Sequence, residues 1–213
     1  MNKKVITIVI VVAVLLIVGV GCFLFLNRGG SVGIDNNLQN ENNKQSSGNI
    51  DLGNSKVLVV YFSETGNTRK LAKLISDEVG GDFRRIETVK PYPTGGELFD
   101  YTKKERDNDE RPELKDLDVN MDEHDVVFVG YPIWWYTLPM PIYTFFDKYD
   151  FDGKIIVPFN THEGSGDGGT YSTIKTLEKD AKVLDGLAIR GGDMESDQTD
   201  RVRNWLKGLD LSE

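Results

Sequence analysis

Residues 57–68, Val-Leu-Val-Val-Tyr-Phe-Ser-Glu-Thr-Gly-Asn-Thr, constrain the fold more than any other stretch, because an apolar β-branched run stops abruptly at small hydroxyl and amide residues. The run Val57 to Phe62 suits a parallel strand covered on both faces, and the spacing of Leu71, Ala72, Leu74, Ile75 and Val79 predicts a helix starting at Asn67. Ser63 to Thr68 therefore lies between a strand end and a helix start. There the first-turn amides lack intrahelical partners and the helix dipole favours an anion. Ser63, Thr65 and Thr68 add hydroxyl donors, Asn67 adds an amide, and Gly66 permits close backbone approach. Neither Gly-x-x-x-x-Gly-Lys-Ser/Thr nor Gly-x-Gly-x-x-Gly follows the strand, so a terminal monophosphate fits better than a nucleoside triphosphate or a dinucleotide.

The N-terminus carries a different signal. Lys3 and Lys4 precede Val5 to Leu26, a segment with no charge. At 1.5 Å per residue it covers roughly 33 Å, enough for a hydrocarbon core of about 30 Å. A membrane anchor is expected over residues 5–26, with the lysines holding the N-terminus in the cytoplasm and the body of the protein extracytoplasmic. A bacterial lipoprotein signal cleaved before Cys22 is the first alternative, and a cleaved secretory signal the second. Against the lipoprotein signal stand Gly19, where such a site usually carries leucine, and the apolar run Phe23 to Leu26 beyond the cysteine. Residues 27–54 hold eight asparagines and five glycines with few aliphatic residues, and read as a disordered linker.

Residues 55–213 are expected to form one domain. Cys22 is the only cysteine, so this domain has neither a disulfide nor a thiol nucleophile. The chain carries a net charge of −9, yet residues 1–54 hold four cations against three anions, so the acidic excess lies wholly in the domain. That balance argues against nucleic acid as a partner, since such ligands need a positive footprint.

Along the domain, Phe83 to Thr88 is the expected second strand and Glu97 to Asn108 a polar helix anchored by Leu98, Phe99 and Tyr101. The charge alternation from Lys103 to Arg111 reads as a solvated helix face. Asp125 to Gly130 is strand three. The loop after it, Tyr131 to Pro139, holds two of the three tryptophans, placing flat rings where open α/β sheets bind ligands. A helix over Pro141 to Tyr149 and strand four over Lys154 to Phe159 follow. The next loop, Asn160 to Gly169, is rich in glycine and free to approach a ligand. A helix over Tyr171 to Asp180, strand five over Val183 to Arg190 and a helix over Ser196 to Leu209 complete the chain. Strand and helix alternate, so the fold class is α/β: a doubly wound five-stranded parallel sheet in the order 2-1-3-4-5, preceded by a transmembrane or signal segment. That order sets the loops after strands one, three and four side by side at the switch point.

Ser63-Glu64-Thr65-Gly66-Asn67-Thr68 resembles the phosphate-binding loop of the flavodoxin family, in which backbone amides and hydroxyls hold the phosphate of FMN. Gly130-Tyr131-Pro132-Ile133-Trp134-Trp135, followed by Leu138-Pro139-x-Pro141, resembles the second flavin loop of a small-flavodoxin subgroup. The resemblance implies that Tyr131, Pro132, Ile133, Trp134 and Trp135 contact the flavin. It also implies that Asn160, Thr161, Gly164, Ser165 and Gly166 cover its second side. The expected function is electron transfer by FMN in a membrane-tethered protein, passing electrons to a redox protein or small-molecule acceptor. An FMN-dependent NAD(P)H or quinone reductase is the first alternative, and a binding module that has lost its flavin is the second. No catalytic side chain is assigned. His162 and His124 are the only histidines, no ligand cluster for a metal surrounds either, and Ser165 lacks a Gly-x-Ser-x-Gly elbow. A phosphoacceptor domain is disfavoured because strand one ends in Phe62 and Ser63 instead of an acidic pair.

Overall fold

Three strands buried along nearly their whole length make the centre of the sheet: β1 (Val57–Tyr61), β3 (Val126–Pro132) and β4 (Ile155–His162). This computed structural model describes residues 52–211. The expected anchor over residues 5–26, with its Cys22 alternative, and nearly all of the expected linker over 27–54 lie outside the described residues. Among the described residues no helix is long and apolar enough to cross a membrane.

The edge strands are β2 (Asp82–Arg85) on one side, and β5 (Lys182–Val183) with β6 (Leu187–Arg190) on the other. Every pairing is parallel, in the order β2-β1-β3-β4-β5, with β6 also on β4. The five-position parallel sheet in the order 2-1-3-4-5 is thus present, with its fifth position split. Ile156 pairs with Val183 and Phe159 with Leu187, so Val157 and Pro158 face one residue more on the other strand, a bulge. Two causes are visible. Pro158 has no N–H to give, and a Cβ on Gly186 would stand 2.5 Å from the Pro158 carbonyl oxygen and 2.4 Å from the Tyr171 ring.

Alternation along β1 assigns the two faces. Leu58 and Val60 pack with Val127, Val129 and Ile156 against α3 (Met140–Lys148) and α4 (Thr170–Leu177). Val57, Val59 and Tyr61 pack with Phe128, Val157 and Phe159 against α1 (Asn67–Val79) and α5 (Thr199–Lys207). Covering both faces is what makes the central strands continuous apolar runs.

Several boundaries move for physical reasons. β2 stops at Arg85 where Phe83 to Thr88 was expected, because the chain then turns to meet a second segment, with Thr88 bridging Leu114 in antiparallel fashion. β3 runs two residues past Gly130, and β4 three past Phe159. Tyr131 pairs with Asn160 and Pro132 with Thr161, so polar residues are drawn into the ladder by partners on both sides. The polar helix is α2 (Glu97–Asp107), close to expectation. The last helices are shorter than expected at both ends or at the C-terminal end: α4 stops at Leu177 and α5 spans Thr199–Lys207.

Candidate functional site

The connections after β1, β3 and β4 meet at the carboxyl edge of the sheet, beside the point where strand order reverses. Between them lies a cavity of about 330 Å³. The first connection contributes Thr65 and Asn67, the second Pro132 to Trp135, and the third Thr161, His162 and Glu163; Leu98, Phe99 and Thr102 of α2 close it from above. Two larger clefts exist, one of about 720 Å³ near Lys56 and His124 and one of about 560 Å³ along α1 beside Lys73. The first lies at the amino ends of β1 and β2 and the second beside α1, so neither gathers the carboxyl ends of several strands, and convergence there with aromatic lining, not size, picks out the smaller cavity.

The first connection is built to leave amides free. Gly66, the residue before α1, takes φ +96° and no side chain caps the helix. A non-glycine residue would be strained there, and an Asn, Ser or Asp cap would have consumed a first-turn N–H. Ser63 Oγ accepts the Gly66 N–H at 3.1 Å, which folds the loop while leaving the hydroxyl proton available to donate. Thr68 is buried, with Oγ1 2.8 Å from Thr161 Oγ1. One bond between two hydroxyls uses one proton, so the accepting hydroxyl keeps its own. Thr65 is exposed. Arg85 donates to the Ser63 carbonyl at 2.9 Å and stands 3.8 Å from Glu64. Desolvation pushes the Glu64 carboxyl above its ordinary value, Arg85 opposes this and Glu87 adds to it.

The second connection is apolar and strained. Tyr131 lies within β3, fully buried in the core, with its hydroxyl 3.0 Å from Thr170 Oγ1. Burial raises the pKa of that phenol. Its ring belongs to the core, while Pro132, Ile133, Trp134 and Trp135 reach the cavity. Trp134 packs edge-on to Phe62 at 5.2 Å and to Tyr92 at 5.4 Å. The Trp134 backbone N–H donates to the Thr137 carbonyl at 3.3 Å and the Thr137 backbone N–H donates to the Trp134 carbonyl at 3.0 Å, closing a two-residue turn. The central residues Trp135 and Tyr136 have φ +55° and +62°. Asn-Gly is the usual occupant of such a turn, and each non-glycine residue held there costs about 1–3 kcal/mol. Trp135 is compensated. Its indole N–H donates to Thr102 Oγ1 at 3.0 Å, Phe99 meets its ring edge-on at 6.3 Å, and the Arg106 guanidinium lies 5.5 Å from the ring. Tyr136 is 79% exposed, and its side chain makes no hydrogen bond or ring contact among the described residues.

The third connection begins later than expected, because Asn160 and Thr161 are strand residues. Asn160, wholly buried, donates to the Gly166 carbonyl at 3.0 Å and accepts the Tyr171 hydroxyl at 2.6 Å, fixing the glycine-rich loop from below. Gly164 N–H donates to His162 Nδ1 at 2.9 Å. Gly164, Ser165 and Gly166 do not line the cavity; they carry the loop around it. Among the described residues no three of His, Cys, Asp and Glu gather as metal ligands.

The sequence model of a family described as flavodoxin matches residues 56–209. The chain belongs to the flavodoxin family. Crystal structures of two proteins assigned as flavoproteins share the fold. One, from Bacteroides eggerthii, is 34% identical, with a TM-score of 0.65 over 72% of this chain and 97% of that one. The other, from Bacteroides uniformis, is 30% identical, with a TM-score of 0.65 over 72% and 98%. A flavoprotein from Lactobacillus acidophilus, solved in complex with FMN, is 20% identical, with a TM-score of 0.56 over 70% and 99%, and shares the fold. No curated protein matches the chain.

Three features of this flavodoxin-family site escaped the sequence reading. The roof comes from α2, where Leu98 and Phe99 looked like simple anchors and Thr102 carried no signal. Gly191, after β6, is close-packed: a Cβ there would stand 2.3 Å from Glu163 Oε1 and 2.8 Å from Asn67 Nδ2, so its bareness lets the first and third connections meet. The supposed solvated face from Lys103 to Arg111 is interrupted. Glu105 is 3% exposed and accepts the Tyr92 hydroxyl at 2.6 Å, behind Trp134. Burial pushes its carboxyl up, while the bond from Tyr92 pulls it down and Glu110 adds to the rise.

Proposed function

We propose that this chain binds FMN and acts in electron transfer, with the phosphate at the start of α1 and the ring system in the adjoining cavity. The observation that carries the reading is the contiguity of two unlike surfaces. An uncapped helix start opened by Gly66 adjoins an apolar, aromatic cavity through Thr65 and Asn67. One surface suits a dianion and the other a flat ring. The charge around them agrees: Arg69 and Lys70, exposed in the first turn of α1, have no carboxylate partner among the described residues, in a domain that is otherwise acidic. FMN in the related Lactobacillus protein of the same fold supports the choice of cofactor.

In this reading the first-turn amides, with Ser63, Thr65, Asn67 and the spare proton of the Thr68–Thr161 pair, hold the phosphate. Glu64 fixes the outside of the loop through Arg85. Ile133, Trp134 and Trp135 flank the ring and exclude water. Asn160 keeps Gly164, Ser165 and Gly166 in position over its other side. A bound flavin supplies the one- and two-electron chemistry that no side chain here offers. The working location is extracytoplasmic, tethered through residues 5–26, with 27–54 as linker and 55–213 as the flavin-binding domain.

Titration of the apoprotein with FMN, followed by flavin fluorescence quenching and by the absorbance spectrum of the protein after removal of free ligand, tests the cofactor. A colourless protein that leaves FMN fluorescence unchanged overturns it. Protease added to intact protoplasts tests the topology: cleavage between residues 27 and 54 is expected, and complete protection until lysis would place the domain inside. Incorporation of a labelled lipid precursor would transfer the anchor to Cys22.

A further inference from the structure

The loop before α1 faces two spaces. Thr65 and Asn67 line the aromatic cavity, whereas Gly66 between them lines the groove of about 560 Å³ along α1. The two spaces share no lining residue and adjoin at this loop. Nothing stands within 4 Å of where a Cβ on Gly66 would lie, so the way from the start of the helix into the groove is open. The groove has an apolar floor, made by part-buried Leu74 and buried Met194. Its far wall is fixed by Gln198, whose side-chain amide donates to the Asp193 carbonyl at 2.9 Å and to Ser196 Oγ at 3.0 Å.

Charge narrows what such a groove accepts. Arg69, Lys70 and Lys73 form its helical wall. Lys73 is paired with Asp77, but Arg69 and Lys70 have no carboxylate partner among the described residues. Asp197, the one carboxylate of the lining, is turned to Thr199, accepting its N–H at 2.9 Å and its hydroxyl at 2.6 Å. Two free cations therefore stand over an apolar floor in an otherwise acidic domain. A monophosphate held by the first-turn amides uses none of this floor. An acidic peptide or a free inorganic anion would satisfy the cations and leave Leu74 and Met194 uncovered. A ligand that continues past Gly66 with a second phosphate and then a flat base matches both. Gly66 and Leu74 lie about 12 Å apart along the helix at 1.5 Å per residue, the reach of an extended phosphate, ribose and base.

We infer that the groove between α1 and residues 194–198 receives the adenylate half of FAD, so that the site that holds FMN also holds its dinucleotide form. This rests on the flavin reading of the cavity. The second phosphate lies beside Arg69 and Lys70, and the adenine rests on Leu74 and Met194. Extending FMN turns its dianionic phosphate into a singly charged diester, which weakens its hold at the start of α1. Without a receiving groove, FAD would therefore bind less tightly than FMN.

The test uses the full-length protein freed of flavin and titrated with FMN and with FAD in parallel by calorimetry, the bound flavin being released afterwards and identified by chromatography. FAD is expected to bind intact and at least as tightly as FMN. Ser196→Glu and Lys73→Glu, both exposed and outside the aromatic cavity, each set a carboxylate on the groove. Each should weaken FAD roughly tenfold while leaving FMN within about twofold, with the fold intact by circular dichroism. FAD binding more than about tenfold weaker than FMN, or indifferent to both substitutions, overturns the inference while leaving the FMN reading intact. A poly-glutamate peptide whose binding is lost on Ser196→Glu, when FAD binding is not, would make the groove a protein-docking surface and overturn it as well. Failure to bind either flavin removes the flavin reading and this inference with it.

Discussion

The two connections that face each other across the cavity are made in opposite ways. At the start of α1 the only left-handed residue is glycine, and the groups turned inward are amides and hydroxyls. At the turn after β3 the left-handed residues are tryptophan and tyrosine, and the groups turned inward are rings. A loop that works through its backbone can be relaxed, because almost any side chain of the right size leaves the amides in place. A loop that works through its side chains accepts whatever backbone presents them, and needs a brace. Here that brace is α2: Thr102, Phe99 and Arg106 on Trp135, and Glu105 through Tyr92 behind Trp134.

The largest expected effect tests the relaxed side. Thr65→Glu sets a carboxylate where the phosphate is proposed to sit. Like charges 4 Å apart at an effective dielectric of 20 oppose each other by about 4 kcal/mol, or roughly a thousandfold in affinity. FMN titration should show binding lost with the fold intact by circular dichroism. Undiminished affinity would mean that the two connections do not divide the work as described.

Next come two changes to the brace. Glu105 has a raised folded pKa, so between its unfolded value near 4.5 and that higher value the folded state binds more protons than the unfolded one. Its contribution to stability is complete below the unfolded pKa and is lost as pH rises through the folded pKa. Glu105→Gln should remove that loss, so urea melts should show the variant gaining on the parent as pH rises from 4 towards 7. An unchanged pH slope would show that the buried carboxylate does not burden the brace. Thr102→Val keeps the shape of the side chain but takes away the acceptor of the Trp135 indole. A cost of about 1 kcal/mol is expected, with an altered near-ultraviolet circular dichroism signal from the tryptophans and little change in phosphate affinity.

The smallest effect has the opposite sign. Tyr136→Gly relieves the left-handed strain, offset in part by the greater freedom of glycine when unfolded, for a net gain below about 1 kcal/mol. In a domain of this size that is a rise of no more than about 2–4 °C in melting temperature. A clear fall would mean that the tyrosine is braced after all and that the contrast between the two connections is overstated.

How far the sequence foretells all this depends on which residues carry the message. β1, β3 and β4 are legible because burial on both faces leaves continuous apolar runs, and the start of α1 is legible because small hydroxyl residues and Gly66 follow the first strand directly. The ends of β3 and β4 are hidden. Tyr131, Pro132, Asn160 and Thr161 read as loop by composition and become strand only because each finds a partner across the sheet. The split of the last strand turns on Gly186 meeting the Pro158 carbonyl, a contact between residues 28 apart that no local pattern records. α2 is legible as a helix but not as a roof. Its charged residues conceal Thr102 and Glu105, whose burial depends on where Trp135 and Tyr92 arrive from elsewhere in the chain.

The split strand also bears on how the molecule behaves in company. An open sheet presents two free edges, and a long regular edge is a template on which another chain can add a strand. On one side, β2 offers four residues, two of them the arginines Arg84 and Arg85, and it is partly exposed. On the other, the bulge opposite Pro158 breaks what would have been an eight-residue edge into pieces of two and four. Neither border gives a neighbour a regular row of donors and acceptors to copy, so copies crowded together would find little purchase for edge-to-edge growth.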